Sequence, residues 1–296
     1  MDFGYTGNGL GRSTTDFFGE TESLMTLWEA VFCGIVQGLT EFLPVSSSGH
    51  LALAHALFGM ETAEGHLTFD ILLHLATLIV VFVVYHKDVF DLALALFRLP
   101  GKLLKGKFRL SALDETERMA VLLIFATLPL SGAFFVRDFT EMIAGSVRAV
   151  GVLLFLNGIL LLLADRFSQK NGKERLSVAG ALGVGLFQLI AVIPGISRSG
   201  STISGGMLFG LSRKNAVKFS FLLSIPAVLG ANIVHIPEAI ATPVSDLTLG
   251  YYLLGMAAAL CAGFAAMKFL AYISAKEKFG FFAYYCMVIG VSVFLF

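Results

Sequence analysis

The chain has few charged residues and few cysteines, and both shortages exclude some classes of protein and of binding site. Only 14% of its 296 residues are Asp, Glu, Lys or Arg, and the formal net charge is zero. An average soluble protein carries about a quarter charged residues, and a neutral chain generates no field that would attract nucleic acid. The three cysteines, Cys33, Cys261 and Cys286, lie far apart within apolar runs, so their spacing fits neither a metal site nor a disulfide framework.

Apolar residues take the place of the missing charges. They make up 56% of the chain, and the mean hydropathy is +0.82. Several runs reach or approach the roughly 20 residues that a membrane-spanning helix needs, so we expect a polytopic membrane protein. Residues 1–24 differ, being rich in Gly, Thr and Ser without the basic start and apolar core of a signal peptide. Because Met25 could serve as a start, we expect a disordered extension or an expression remnant at 1–24 and a single membrane domain at 25–296.

Two of the apolar runs are broken at their centres. Pro44 to Gly49 interrupts the run 27–59, and Pro194 to Gly200 interrupts the run 179–211. Proline lacks a backbone donor and glycine weakens a helix, so each run should form two short arms around a turn. Arms of this length favour re-entrant helical hairpins over full spans. The predicted fold is all-α, with these two hairpins and six transmembrane helices at about 67–85, 119–136, 149–164, 217–235, 249–271 and 281–296.

The two halves of the chain resemble each other. Gly-Ile-Val-Gln at 34–37 precedes the first break, and Gly-Leu-Phe-Gln at 185–188 precedes the second. Counting spans makes repeat 2, about 179–296, inverted relative to repeat 1, about 27–164. The connections on one predicted side carry 16 Lys and Arg and those on the other side carry 2, so the first side is cytoplasmic and both termini are outside. Inverted repeats with broken helices place their sites near mid-membrane, where the repeats meet.

Polar side chains are concentrated at the two breaks. The first motif, residues 37–50, reads Gln-Gly-Leu-Thr-Glu-Phe-Leu-Pro-Val-Ser-Ser-Ser-Gly-His, and the second motif, residues 194–202, reads Pro-Gly-Ile-Ser-Arg-Ser-Gly-Ser-Thr. Polar and ionisable groups at such depth are costly to bury and mark a functional site. We therefore expect the two motifs to meet and to form one site that handles an anion.

These motifs resemble the two signature motifs of the bacterial undecaprenyl-diphosphate phosphatase family, also called the bacitracin-resistance family. The similarity continues through residues 203–213 and, by layout, covers about 25–296. It implies a hydrolase of the bacterial cell membrane that removes the terminal phosphate of undecaprenyl diphosphate from the outer face, recycling the lipid carrier for peptidoglycan and surface glycans and conferring bacitracin resistance. The family pattern allows Glu or Gln at position 37. Gln occurs here, so Glu41 is the only carboxylate of the motifs.

The substrate-binding candidates follow from the needs of a diphosphate. Arg198 offers a planar fork that matches phosphate oxygens. Other donors can come from the turn and from the start of the following helix arm. The full set of candidates is Arg198, Ser197, Ser199, Thr202, Gln37 and Ser46, with local backbone bonding as the alternative role of Ser46.

The catalytic candidates are Ser47, His50 and Glu41. Ser47 is the expected nucleophile, with His50 about one helical turn away as its base. Glu41 could orient His50, or it could hold a divalent cation, Mg or Ca, against the diphosphate. His50 as the phosphoryl acceptor and direct attack by water remain open.

A transporter or flippase of a polyprenyl phosphate or another anion is the alternative, because inverted repeats with re-entrant hairpins are also a transporter architecture. A nucleophile beside a base favours catalysis. The expected partners are a polyprenyl diphosphate and membrane lipids, without nucleic acid, and the choice between monomer and homodimer stays open.

Overall fold

The computed structural model describes residues 25–58, 67–104, 109–168, 172–241, 244–275 and 279–295. Within these ranges the regular structure is helical, apart from one isolated bridge between Lys173 and Leu211. The all-α prediction is therefore confirmed. The expectation of disorder at 1–24 falls outside the described residues.

Twelve α-helices run through the described ranges. They are α1 Leu27–Phe42, α2 Ser47–Phe58, α3 Leu67–Val84, α4 His86–Leu104, α5 Glu115–Thr127, α6 Arg137–Ala144, α7 Val147–Phe167, α8 Val178–Ile190, α9 Arg198–Leu208, α10 Arg213–Ala241, α11 Asp246–Ala275 and α12 Gly280–Ser292. Short 3-10 segments cover Leu110–Ala112, Leu128–Val136 and Val293–Leu295. The Leu128–Val136 segment joins α5 to α6, so this part of the chain stays helical from Glu115 to Ala144.

Five helical stretches are long and apolar enough to cross a membrane. They are Leu67–Val84, Glu115–Ala144, Val147–Phe167, Arg213–Ala241 and Asp246–Ala275. The sixth predicted span corresponds to a shorter apolar helix, Gly280–Leu295. The amphipathic helix α4 lies between the first two predicted spans, where the sequence predicts no helix. The protein is a multi-pass membrane protein.

Local sequence accounts for the two broken helices. Thr26 and Glu29 form a capping box that starts α1, in which the Thr26 hydroxyl accepts from the Glu29 amide at 3.2 Å. Ser177 caps α8 in the simpler way, accepting from the Gly180 amide at 3.0 Å. Because Pro44 follows almost immediately, α1 ends at Phe42 and a turn separates it from α2.

Small residues let the broken helices pack closely against helices of the other half of the chain. A β-carbon added to Gly34 of α1 would lie 2.1 Å from the Gly255 carbonyl oxygen of α11. One added to Gly185 of α8 would lie 2.4 Å from the Ala126 carbonyl oxygen of α5. Such close backbone approach is typical of helix interfaces in membranes. The two halves therefore interlock, and this brings the two breaks to the same place.

Candidate active site

The first motif turns through a left-handed residue. Ser46 has φ 72°, the one positive φ among the described non-glycine residues, in a region that side chains rarely adopt. Its hydroxyl accepts from the Gly49 amide at 3.2 Å and so caps the start of α2. Ser47 is the first residue of that helix.

The second motif repeats this arrangement. The Ser197 hydroxyl accepts from the Gly200 amide at 3.0 Å and caps α9, whose first residue is Arg198. In both motifs the capping hydroxyl also contacts the hydroxyl two residues later, at 3.3 Å after Ser46 and at 3.1 Å after Ser197. Ser47 and Arg198 thus occupy equivalent positions in the two halves.

The two motifs meet at the carboxylate of Glu41, as the sequence predicts. The Ser47 hydroxyl donates to Glu41 Oε2 at 2.8 Å, and the Gln37 amide donates to the same oxygen at 3.2 Å. Arg198 Nη2 donates to Glu41 Oε1 in an ion pair. The Glu41 side chain is only 8% exposed, so this cluster fixes a carboxylate, a hydroxyl and a guanidinium against one another below the surface.

The cluster is suited to binding an anion. Arg198 Nη1 is buried and has no hydrogen-bond partner within the described ranges. The helices α2 and α9 both begin here, and a helix N-terminus presents free amides and a partial positive charge. One donor of the guanidinium thus holds Glu41, while the other remains available for a phosphate oxygen.

Beside the cluster lies a large, mostly apolar cavity of about 1320 Å³. Its lining includes Glu41, Ser47 and Arg198. Most of the remaining lining consists of apolar side chains from α4, α5, the 3-10 segment that follows α5, and α10. A polar cluster beside an apolar cavity of this kind matches an amphipathic ligand with an anionic head.

Asn157 of α7 holds the two turns together. Its amide nitrogen donates to the Pro44 carbonyl at 3.1 Å, and its amide oxygen accepts from the Ser197 backbone amide at 3.0 Å. A third link between the turns comes from the Ser199 hydroxyl, which donates to the Leu43 carbonyl at 3.0 Å. Asn157 is 1% exposed, so these bonds satisfy backbone groups that would otherwise be buried without partners.

His50 does not pair with Ser47, and here the expected geometry is wrong. Its Nδ1 lies 2.8 Å from the Ser46 carbonyl oxygen, and its Nε2 lies 2.8 Å from the Tyr285 hydroxyl on α12. Both ring nitrogens are therefore engaged away from the Ser47 hydroxyl, which donates to Glu41 instead. Glu41 was expected to orient His50, but it hydrogen-bonds Ser47 directly instead. The physical reason is that the His50 ring hydrogen-bonds the backbone carbonyl of Ser46, four residues earlier in the same turn.

The predicted substrate-binding residues divide into two groups. Arg198, Ser197 and Ser46 border the cavity, although the hydroxyls of both serines are used as helix caps. Gln37, Ser199 and Thr202 are not among the described residues that border the cavity; Gln37 is fully buried and donates to Glu41. Thr202 is fully buried, donates to the Arg198 carbonyl at 2.9 Å and shares a hydrogen bond of 2.6 Å with Ser220 of α10. The Ser199 hydroxyl bonds the backbone of the first turn. Ser199 and Thr202 therefore hydrogen-bond within the protein, where contacts with the substrate were expected.

The residues present do not form a metal site on their own. Within the described ranges there is no group of three or more His, Cys, Asp or Glu side chains that could hold a metal ion. Glu41, the proposed ligand, already accepts hydrogen bonds from three side chains. A divalent cation would need most of its ligands from elsewhere.

Sequence reasoning missed three residues of this region. Asn157 was detectable, because a lone amide in an apolar span needs a partner. Gln188 is the repeat equivalent of Gln37. It borders the cavity at 1% exposure, and its amide has no partner in the described part of the chain. Nothing in the sequence distinguishes Tyr285 from its neighbours. His74 of α3 also borders the cavity.

Comparison with known proteins identifies the same family that the two motifs resemble. The family model described as "Bacitracin resistance protein BacA" matches residues 30–292. The undecaprenyl-diphosphatase of Halothermothrix orenii is 37% identical over 274 residues, covering 92% of this chain and 98% of that protein. The undecaprenyl-diphosphatase of Alkaliphilus metalliredigens is 40% identical over 276 residues, covering 92% and 99%. That of Desulfatibacillum aliphaticivorans is 41% identical over 275 residues, covering 90% and 96%. On this evidence the chain belongs to the BacA bacitracin-resistance protein family.

Proposed function

We propose that this protein hydrolyses undecaprenyl diphosphate to undecaprenyl phosphate and inorganic phosphate. The names of its relatives specify this reaction. The observation that carries the proposal here is the contact of Ser47 and Arg198 with the same Glu41 carboxylate beside an apolar cavity. Such an enzyme recycles the lipid carrier for peptidoglycan and surface glycans, and the same activity would underlie bacitracin resistance.

In the reaction that this geometry favours, Ser47 is the nucleophile and Glu41 is its base. The Ser47 oxygen attacks the terminal phosphorus while its proton passes to Glu41 Oε2, the oxygen to which it already donates. The bond from that phosphorus to the bridging oxygen breaks, and undecaprenyl phosphate leaves. The proton on Glu41 is released to solvent. Water then attacks the phosphoserine and gives one proton to Glu41, which passes it to the Ser47 oxygen as the phosphorus–Ser47 bond breaks, so inorganic phosphate, free Ser47 and ionised Glu41 result. Direct attack by water needs the same Glu41, and the two routes differ in whether a phosphoserine can be trapped.

Arg198 supplies the fixed positive charge in this scheme. Its Nη2 stays on Glu41, and its Nη1, buried and without a hydrogen-bond partner among the described residues, can donate to the transferring phosphoryl group. Fixed donors aimed at charge that develops in the transition state are a major source of catalysis. The amides at the starts of α2 and α9 add to the same effect.

A divalent cation, Mg or Ca, is a further part of the proposal. Mg²⁺ commonly binds through one or two carboxylates together with substrate phosphates. Glu41 is the one carboxylate of the cluster, so the diphosphate would have to supply most of the remaining ligands. The roles of Ser47, Glu41 and Arg198 above do not depend on it.

We also propose the membrane arrangement. The five long helices together with Gly280–Leu295 make six spans, and the pairs α1–α2 and α8–α9 are re-entrant hairpins in an inverted repeat. The equivalent caps of Ser46 and Ser197 support the repeat, and the excess of Lys and Arg supports a cytoplasmic location of residues 86–118, including α4. The termini and the entrance to the active site are then outside.

A transporter is the less favoured reading. Transport of an anion would use Arg198 but has no need for a hydroxyl hydrogen-bonded to a carboxylate. The fold alone does not decide between the two, because one architecture serves many functions.

The deciding experiment measures phosphate release from a polyprenyl diphosphate by the purified protein in detergent. We expect turnover by the wild type, and losses of at least about a hundredfold in Ser47→Ala and Glu41→Gln. Ser48→Ala is the matched control, because Ser48 borders the same cavity but its hydroxyl hydrogen-bonds only to Ser46 among the described residues, and not to Glu41. Absence of turnover by the wild type would reject the proposed function, and full activity of Ser47→Ala would reject the serine as nucleophile.

A further inference from the structure

Helix α12 contacts the first motif at His50 and Pro44. The Tyr285 hydroxyl lies 2.8 Å from His50 Nε2, and the two rings stack with centroids 5.6 Å apart and planes 4° apart. The next residue, Cys286, approaches the Pro44 carbonyl oxygen at 3.7 Å. Neither His50 nor Tyr285 is among the described residues that border the cavity.

Hydrogen-bond chemistry fixes the direction of this chain of contacts. A carbonyl oxygen can only accept, so His50 Nδ1 must carry the proton that it donates to the Ser46 carbonyl. In the neutral ring Nε2 is then an acceptor, and the Tyr285 hydroxyl is its donor. The path runs from Tyr285 through His50 to the backbone of Ser46.

The path ends at Ser46, whose backbone conformation is strained. Ser46 adopts φ 72°, which a serine does not prefer. Its carbonyl belongs to the peptide unit that leads into Ser47, so the orientation of this carbonyl sets where the Ser47 side chain begins. The same carbonyl oxygen accepts from the His50 backbone amide at 3.2 Å and from the His50 ring at 2.8 Å.

We infer that Tyr285 is a positioning residue for Ser47. Acting through His50, it holds the Ser46–Ser47 peptide in the orientation that puts the Ser47 hydroxyl on Glu41. The inference rests on the proposed function, in which Ser47 is the nucleophile. It also gives His50 a role other than that of a base.

This role predicts which kinetic constant changes. Tyr285 does not border the cavity, so its hydroxyl should affect the rate of attack and leave substrate binding nearly unchanged. Loss of one ordinary hydrogen bond corresponds to roughly a fivefold to tenfold fall in kcat. A residue that served folding alone would lower the amount of active protein and the unfolding temperature, with kcat per folded molecule unchanged.

The test compares Tyr285→Phe with Tyr284→Phe, a neighbouring tyrosine that is 61% exposed. Phosphate release from a polyprenyl diphosphate is measured in detergent on purified, folded protein. We expect Tyr285→Phe to lose roughly fivefold to tenfold in kcat at constant KM, and Tyr284→Phe to match the wild type. Unfolding temperatures are recorded for each variant.

Two substitutions of His50 separate its two contacts. The Asn amide can replace Nδ1, which bonds Ser46, and the Gln amide can replace Nε2, which faces Tyr285. We expect His50→Asn to keep more activity than His50→Gln, and Tyr285→Phe to cost nothing further in either background, because the hydroxyl acts only through the ring. A histidine that served as base would lose activity equally in both variants.

The experiment distinguishes failure of the positioning role of Tyr285 from failure of the proposed phosphatase function. If the wild type releases no phosphate, the proposed function fails. If the wild type is active and Tyr285→Phe keeps wild-type kcat, or if its loss adds fully to those of the His50 variants, the positioning role is wrong.

Discussion

The Arg198–Glu41 ion pair allows stability and turnover to be separated by substitution. Replacing Arg198 with Met removes the cation from a carboxylate that is only 8% exposed. The remaining donors, Ser47 and Gln37, are neutral and do not balance its charge. Breaking a buried pair in this way lowers the free energy of unfolding by about 3–5 kcal/mol. For a chain of this size, that loss lowers the unfolding temperature by at least about 6 °C.

The double variant Glu41→Gln/Arg198→Met removes both charges at once. Replacing a buried pair by neutral groups of similar size is often neutral or stabilising. We therefore expect its stability to return close to that of the wild type while its activity stays lost. Recovery of stability without recovery of turnover would show that the pair is retained for chemistry.

Arg198→Lys tests the geometry of the charge. A lysine keeps the positive charge but cannot hold Glu41 and a phosphate oxygen with two arms of one planar group. Two lost bonds to charged groups, at about 1.5 kcal/mol or more each, predict a fall in kcat/KM of at least about a hundredfold.

Stability can be followed with a thiol-reactive fluorophore during heating. Cys33 and Cys286 are buried and become reactive only on unfolding, whereas the exposed Cys261 is first replaced by serine. Turnover is followed by phosphate release in the same detergent. The reasoning is refuted if the double variant is as unstable as Arg198→Met, or if Arg198→Lys keeps the wild-type kcat/KM.

Three other predictions can be checked independently. Gln188→Met should leave the unfolding temperature equal or higher, because it removes a buried amide without a described partner, and should raise KM severalfold if that amide binds substrate; an unchanged KM would exclude the contact. In cysteine-free protein, Asp246→Cys should react with an impermeant thiol reagent in intact cells and Ser111→Cys should not, and the reverse pattern would overturn the proposed orientation. Glu41→Gln, assayed at its residual rate, should need more Mg or Ca for half-maximal activity if Glu41 is a ligand; an unchanged requirement would place the cation elsewhere.

The sequence by itself determined most of the helices of this protein and the polar residues of its two motifs. The length of the apolar runs predicted helices, and the stretches beginning at Pro44 and Pro194 predicted the two breaks, because proline and glycine act on the backbone locally. Repetition of the broken pattern predicted that the two motifs, which carry Glu41 and Arg198, would meet although 157 positions separate these two residues. Each of these inferences depends on residues close together in the chain or on the equivalence of the two halves.

Only the tertiary structure decided which side chains are partners. His50 lies three residues after Ser47, and spacing alone suggested a pair, but its ring nitrogens are taken by the Ser46 carbonyl and by Tyr285, 235 positions away. Asn157 joins turns that lie 113 and 40 positions from it. A hydrogen bond depends on distance and direction within a few tenths of an ångström, and these are set by how α7 and α12 pack against the broken helices, which no local pattern in the chain encodes.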